Sequence, residues 1–511
     1  LPFLEDLRSK FPPGLLQMLR IPGLGPKKVR ALFDQLGVDT PEKLRVACDS
    51  SQVAGLKGFG KKTQEKILEG LQFLDQVGQR VRLDQALWIA EGLAEGLRSL
   101  REVESIQVCG SIRRRRETIK DIDLLVSCSG NSAPIMDRFT TLPGVIQVTG
   151  HGSTKSSVVV ERVTSSGARI TLNADLRVVA PEQFPFALHY FTGSKEHNVA
   201  LRGRAQKLGM KLNEYELASE TGPIPCASEA DIFKALGLDY IPPELRENTG
   251  EVEAGENHCL PRLVEVRDIQ GLFHNHTTAS DGANSLEEMA LAARELGLHY
   301  LGIGDHSQSL TIANGLTPDR VRLQQQEIDA LNKRLKGIRL FKGTECDILA
   351  DGRLDFDDDL LATFDYVVAS VHSHFNQTRE EMTQRIIRAM RNPFVTMLGH
   401  ATGRLLLKRD GYHVDLEAIL RTAVETGTLI EINADPHRLE LDWVHCKRAR
   451  AMGLTLVINP DAHSTQGLGN YVYGVEVAKR GWLEKDHIFN SRSASEVAQW
   501  FAARKKRAHS G

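Results

Sequence analysis

Gly110-Ser111-Ile112-Arg113-Arg114-Arg115-Arg116-Glu117-Thr118-Ile119-Lys120-Asp121-Ile122-Asp123-Leu124-Leu125 reads as a Gly-Ser turn, a basic segment and two carboxylates entering an apolar strand. Side chains alternate across a strand, so Asp121 and Asp123 share one face and Ile122 takes the other. Carboxylates held that close repel, and a divalent cation between them is the usual remedy. The turn offers backbone N–H groups and a hydroxyl to phosphate, and the arginines add fixed positive charge. Metal-bound phosphate is the chemistry suggested. Taken alone, an exposed Asp-Ile-Asp edge strand behind a basic loop fits these residues equally well.

Working outward, Ser157–Val160 and Ile170–Val179 read as further strands, with Asp175 in an apolar strand interior. A lone buried Asp is costly unless it is paired or binds metal. Three carboxylates on neighbouring strands can hold two Mg²⁺ ions and activate a hydroxyl for in-line attack on phosphate. Upstream, residues 81–104 carry Leu87, Ile89, Leu93, Leu97 and Leu100 in an amphipathic helical pattern that reads as core. Downstream come Tyr190-Phe191-Thr192-Gly193-Ser194 and Asn198, then Arg202 and Asn213-Glu214-Tyr215. The aromatic pair offers a base or sugar something to stack on, and Asn198 and Arg202 offer it polar contacts. In isolation this is a turn before a helix.

The chain of 511 residues has room for three or four domains, and its 41% apolar content is that of a globular protein. A net charge of -2 gives no global attraction to nucleic acid, so any such binding rests on local patches. Seven cysteines with no Cys-x-x-Cys pair read as reduced thiols of a cytosolic protein. No signal peptide and no apolar run long enough to span a membrane are apparent. A start at Leu1 rather than Met suggests a processed or truncated beginning.

Two related units stand in the first eighty residues: Ile21-Pro22-Gly23-Leu24-Gly25-Pro26-Lys27-Lys28 and Leu56-Lys57-Gly58-Phe59-Gly60-Lys61-Lys62. Each is a hairpin of two glycines opening a helix with lysines in its first turn. Glycines let backbone approach a phosphate, and the helix N-terminus supplies donors and positive potential. The pair resembles the helix-hairpin-helix motif, which grips the duplex backbone without reading sequence. Gly23, Gly25, Lys27, Lys28, Gly58, Gly60, Lys61 and Lys62 are the candidate DNA-binding residues.

The order Gly-Ser-x-Arg-Arg, Asp-x-Asp, Asp175-Leu176-Arg177-Val178-Val179, Tyr-Phe-Thr-Gly-Ser and Asn-Glu-Tyr closely resembles the family X DNA polymerases. That resemblance implies Asp121, Asp123 and Asp175 as catalytic ligands of Mg²⁺ or Mn²⁺, with Asp175 helping to deprotonate a primer 3′-hydroxyl. It implies that Gly110, Ser111 and Arg114 hold an incoming triphosphate. Tyr190, Phe191, Gly193 and Asn198 then surround the sugar and base, and Arg202 lies toward the template. Two departures stand out: Arg115 replaces a Gly common in relatives, and Lys120 replaces the Gly often found before the first Asp. Both are expected to add positive charge beside the phosphates. The N-terminal lyase-like domain usual in the family is expected to be missing.

Residues 218–268 are rich in Glu, Gly and Pro and read as a partly ordered connector. Beyond it, short apolar stretches alternate with helices: Tyr300–Gly304, Leu340–Gly343, Tyr366–Ser370, Thr396–Gly399, Leu429–Asn433 and Thr455–Asn459. About seven such repeats indicate a barrel of parallel strands, whose polar groups gather at the strands' C-terminal ends. Eleven of the 17 histidines fall in residues 274–463. Imidazoles and carboxylates mixed this way suit Zn²⁺, Mn²⁺ or Fe²⁺. The spacing His-x-His-x₃-Ser-Asp-Gly, Gly-Asp-His-Ser, Gly-Thr-Glu, His-Ser-His-Phe, Gly-His, Asp-Ala-His is similar to the polymerase and histidinol phosphatase (PHP) domain. That resemblance implies His274, His276, Asp281, His306, Glu345, His372, His400, Asp461 and His463 as ligands of two or three ions. Asp305 and His374 fit supporting or phosphate-facing roles, with His374 carried as a catalytic candidate. Lys342, Arg404, His437 and Arg438 are weaker candidates for phosphate or the DNA path.

The expected fold class is multidomain α+β and α/β. A helix-hairpin-helix region (1–80) precedes a nucleotidyltransferase palm (81–182) and thumb (183–240). A linker (241–268) then leads to a distorted (β/α)7 PHP barrel (269–511). The resemblance over the whole chain is to bacterial and archaeal family X polymerases. It implies gap filling, 3′→5′ exonuclease and abasic-site incision in base-excision repair. The implied partners are gapped or primed DNA and deoxynucleoside triphosphates, with no membrane, in a cytoplasmic, nucleoid-associated monomer. The rival expectation is a PHP-type phosphoesterase whose palm only binds DNA.

Overall fold

The computed structural model describes residues 12, 14–19, 21, 24–77, 80–164 and 167–508. It divides into two units, residues 1–81 with 405–410, and residues 82–404 with 411–511. The first unit holds α1 (Pro26–Leu36) and α2 (Gly60–Val77), with Gly14–Met18 and Pro41–Asp49 beside them. Pro26 opens α1, where its missing N–H leaves nothing unsatisfied, and Gly37 closes it in the left-handed region. Met18, Ile21, Leu24, Val29, Leu32, Leu44, Phe59 and Ile67 form this unit's own core.

The second unit begins with α3 (Leu83–Arg98), which buries Leu83, Ala86, Ile89, Leu93 and Leu97 along one face. A five-stranded sheet follows: β1 (Ser105–Val108), β2 (Asp121–Ser127), β3 (Val145–His151), β4 (Lys155–Val163) and β5 (Arg169–Val179). Its spatial order is β1-β2-β5-β4-β3. Only the central pair, β2 with β5, is parallel. A single helical turn, α4 (Gly110–Arg113), joins β1 toward β2. In β5 the residues Ile170, Leu172, Ala174 and Leu176 are buried, which leaves Asn173, Asp175 and Arg177 on the opposite face.

Next come α5 (Phe184–Thr192), α6 (Lys195–Lys207), a three-stranded sheet of β6 (Lys211–Leu212), β7 (Leu217–Ser219) and β8 (Gly222–Ile224), and α7 (Glu229–Ala235). Their shared core of Leu201, Leu217, Ile232, Phe233 and Leu236 continues through Ile241, Leu245 and Val252 to Trp482. The stretch expected to be a partly ordered linker is therefore packed. Arg246 and Glu251 are both fully buried within it. Glu229 and His197 give these charges partners at 2.6 and 2.8 Å. Local composition reads as a connector, but these tertiary partners order it.

Seven parallel strands form the remainder in sequential order: β9 (Gly271–Asn275), β10 (Tyr300–Ile303), β11 (Arg339–Asp347), β12 (Tyr366–Ser370), β13 (Met397–Leu398), β14 (Leu429–Asn433) and β15 (Leu456–Asn459). After β15 the chain returns to β9, where the His276 amide donates to the Ala462 carbonyl at 2.8 Å. Phe273, Tyr300, Phe341, Tyr366, Phe489 and Phe501 pack together in one core cluster of the barrel. The helix α8 (Tyr471–Arg480) follows β15.

Candidate active sites

The first site lies on the polar face of the β2/β5 pair. Parallel register sets Asp123 beside Asp175 and Asp121 beside Asn173. The turn Gly110–Arg113 closes over them. Gly110 adopts φ +62, and a Cβ there would collide with the Asp123 carboxylate. Glycine is thus required twice over, by backbone conformation and by space. Burial and the charges of Asp121 and Asp175 push Asp123 up to about 6. Crowded carboxylates of this kind suit a divalent ion, which would relieve the repulsion.

A cleft of about 350 Å³ opens beside the turn, lined by Gly110, Ser111, Arg114, Asp121, Asp123, Tyr190, Phe191, Thr192, Gly193, Lys195, Asn198 and Arg202. All eight residues expected around a nucleotide are among them. Asn198 donates to the Tyr190 carbonyl at 2.8 Å, while its own Oδ1 is buried without a hydrogen bond. Tyr190 and Phe191 meet edge to face, and the Arg177 guanidinium lies 4.6 Å from the Phe191 ring centroid. Arg114 donates to the Thr192 carbonyl and, at 3.2 Å, to Glu247. Arg113 and Arg246 grip Glu229 from two sides.

Several expectations change. Asp175 is not buried: its side chain is 36% exposed and pairs with Lys155 at 2.7 Å. Strand alternation puts it on the open face, so the cost of burying it does not arise. Neither Arg115 nor Lys120 lines the cleft. Lys120 is exposed. Arg115 has φ +59, the region where glycine is at ease, and its guanidinium reaches Glu476 at 3.4 Å. The left-handed backbone accounts for a position where glycine would fit, and directs this arginine toward α8. Lys155 had no signal in the sequence, being one polar residue of an alternating strand.

The second site fills one end of the barrel. Four overlapping groups have ligand atoms within 4.8 Å of one another: His276, Asp281, His306 and His463; His274, Glu345 and His400; His274, His276 and Asp461; His306, Glu345 and His372. Together they contain all nine residues expected there. The three palm carboxylates form no such group among the described residues. Glu345 is central, 2.8 Å from His306 and His400 and 3.2 Å from His274 and His372. The His276 and His463 rings stack at 4.2 Å. The Nδ1 of His276 is buried, makes no hydrogen bond and lies 3.8 Å from Asp281. A donor set of imidazoles and carboxylates with an inward, unpartnered nitrogen fits a divalent ion.

Burial alone would push His306 down, but Glu345 and Asp281 overcome it and hold it at about 10. His276 goes the other way, to about 4, through burial and the charges of His306 and His463. His274, His400 and Asp461 also have positive φ, as does His374. Such backbone costs of order 1–3 kcal/mol per residue and persists where surroundings impose it, commonly at functional sites.

Sequence reasoning missed two supporting carboxylates. Glu431, fully buried in the middle of β14, accepts from His274 Nδ1 at 2.6 Å, and Asp347 does the same for His372. Each fixes the ring so that Nε2 faces the pocket. The signal available for Asp347 was its two-residue offset from Glu345, which places both on one strand face. Asp305 is buried and accepts from Thr277 and Ser280 of the loop after β9 and from Gln324 of the helix Pro318–Arg334. His374 stands exposed outside the four groups. Lys342 pairs with Asp329, and Arg404 is spent on the carbonyls of Arg438 and Leu439. His437 pairs with Asp435, while Arg438 approaches Asp461 to 3.6 Å.

In the first unit Gly25, Lys27, Gly58, Gly60, Lys61 and Lys62 are exposed and Lys28 is partly exposed. A Cβ at Gly25, Gly58 or Gly60 would meet nothing within 4 Å, so these hairpin tips are open to an approaching backbone. Gly23 lies outside the described residues.

Fold and sites together define a nucleotidyltransferase-like palm joined to a metal-binding phosphoesterase barrel. Residues 15–72 match the SAM-like helix-hairpin-helix tandem, 187–247 the DNA polymerase beta thumb and 273–435 the PHP domain. The DNA polymerase/3′-5′ exonuclease PolX of Bacillus subtilis (strain 168) is 41% identical over 97% of this chain and 85% of its own length. The barrel half alone is similar to probable phosphatases. One from Thermoanaerobacter sp. (strain X514) is 26% identical over 46% of this chain and 95% of its own length. One from Caldicellulosiruptor bescii is 30% identical over 38% of this chain and 80% of its own length. The chain belongs to the PolX family, the family X DNA polymerases with a C-terminal PHP domain.

Proposed function

We propose that this chain is a template-directed DNA polymerase that fills short gaps and carries a 3′–5′ exonuclease in its barrel. One observation carries the polymerase half: the eight residues expected around a nucleotide line a single cleft with Asp121 and Asp123. Gly110 and Ser111 offer donors to the triphosphate, and Arg114 adds a positive charge steadied by Glu247. Tyr190, Phe191, Gly193 and Asn198 frame the sugar and base, and Arg202 faces the template. Asp175 accepts the proton of the primer 3′-hydroxyl as that oxygen attacks the α-phosphate and pyrophosphate leaves.

In the barrel, the nine ligands would hold two or three Mn²⁺, Zn²⁺ or Fe²⁺ ions, and Asp121, Asp123 and Asp175 would hold Mg²⁺ or Mn²⁺. When bound, such ions supply Lewis acidity and charge neutralisation at a phosphate. Glu431 and Asp347 keep His274 and His372 aimed at them. His374, on an exposed loop just past His372, is assigned in this reading to meet the departing strand. Helix-hairpin-helix glycines and lysines take the duplex backbone. Base-excision repair, with incision at abasic sites, is the setting that suits a gap-filling enzyme with its own nuclease. A monomer acting at the nucleoid completes the reading. Among the described residues no helix is long and apolar enough to cross a membrane.

The tighter convergence of the barrel ligands favours one second reading, a phosphoesterase whose palm only holds DNA. Primer extension and degradation on gapped DNA separate the two. Asp121→Ala with Asp123→Ala should abolish extension and leave degradation intact; extension that survives would remove the palm assignment.

A further inference from the structure

The turn that lines the nucleotide cleft is held from the other domain. Arg480, the last residue of α8 in the barrel, is 1% exposed. Its guanidinium donates to the Arg115 carbonyl at 3.2 Å, to Glu117 at 3.3 Å and to Glu247 at 3.2 Å. The Glu247 oxygen it uses, Oε1, is the same one that receives Arg114 Nε. Four residues earlier on α8, Glu476 takes the Arg115 side chain. Trp443 lies against the Arg480 guanidinium at 5.0 Å.

An arginine at a helix C-terminus is ordinarily explained by the helix dipole. Here its charge is turned onto three acceptors of the palm and thumb, and one of them is shared with a residue of the cleft. The turn needs such a hold. Arg115 sits at φ +59, a conformation that a non-glycine residue keeps only where its surroundings impose it. We propose that α8 of the barrel is a clamp for the triphosphate turn, in which Arg480 and Glu476 are positioning residues for nucleotidyl transfer. They act through Arg114 and Arg115 and touch no substrate. The inference rests on the reading that Gly110, Ser111 and Arg114 receive the triphosphate.

The test uses the full chain, with steady-state primer extension and 3′–5′ degradation measured on the same preparation. Arg480→Met should raise KM for each of the four deoxynucleoside triphosphates about tenfold, with a smaller change in kcat, because a misaligned Arg114 weakens phosphate binding whatever the base. Degradation should stay within about twofold of wild type. Glu476→Gln should raise KM in the same way. Adding Arg115→Gly should restore it, since glycine holds a left-handed backbone without a clamp. An unchanged KM in Arg480→Met overturns the proposal, as does equal loss of both activities, which would make Arg480 a residue of the fold alone. A Glu476→Gln defect that Arg115→Gly leaves untouched overturns it too. Extension by the Asp121→Ala, Asp123→Ala variant would instead fail the palm reading; if that variant is inactive, an unchanged KM fails only the clamp.

Discussion

Glu229 shows how one side chain fixes the wall of a cleft. Burial pushes its carboxyl up, but Arg246 and Arg113 overcome this and hold it down from an ordinary 4.5 to about 2. Because the folded value is lowered, the stabilisation is full above the ordinary carboxylate range and is lost as pH falls from about 4.5 toward 2. The shift corresponds to about 3 kcal/mol at neutral pH. Glu229→Gln should therefore lower the urea midpoint at pH 7, and the gap from wild type should shrink as the solution is acidified through that window. A gap independent of pH would contradict the assignment. Arg113 also donates to Thr192 of the cleft wall, so the same variant loosens the Tyr190–Ser194 segment. None of this was legible in the sequence, where Arg113 is one of four arginines and Glu229 lies 116 residues away.

At the scale of elements, legibility follows periodicity. Most of the barrel strands were readable because they are short, buried and largely apolar runs followed by a polar group, as in Tyr366–Ser370 before His372. Asp121 and Asp123 were readable because a strand's period of two puts them on one face. The same rule, applied to Asp175, would have placed it with Asn173 and Arg177 on the open side rather than inside. Packing between distant segments was not readable. Residues 241–268 look like a connector until Glu251 finds His197 and Arg246 finds Glu229. Glu431 is the sharpest case, since its work is done on the rear nitrogen of an imidazole 157 residues earlier. Glu431→Gln should weaken metal binding by the barrel about 10- to 100-fold and slow degradation in step, with primer extension unchanged. Manganese titration followed by calorimetry checks it, and wild-type affinity in the variant would show that the contact with His274 is incidental.

Across the whole molecule, two groups of candidate ion-binding side chains stand on different scaffolds. One is carboxylate on a mixed sheet, the other largely imidazole in a parallel barrel, and α8 links the second scaffold to the first. Under the proposed function, opposed chemistry at one 3′ end is a division between domains, with nucleotide addition in the palm and removal in the barrel. The most direct test is anomalous scattering from crystals of the full chain soaked in manganese. The expected map has density beside Asp121, Asp123 and Asp175 and separate peaks about Glu345 in the barrel. Peaks in the barrel with none at the palm carboxylates, even with a deoxynucleoside triphosphate present, would contradict a two-site polymerase.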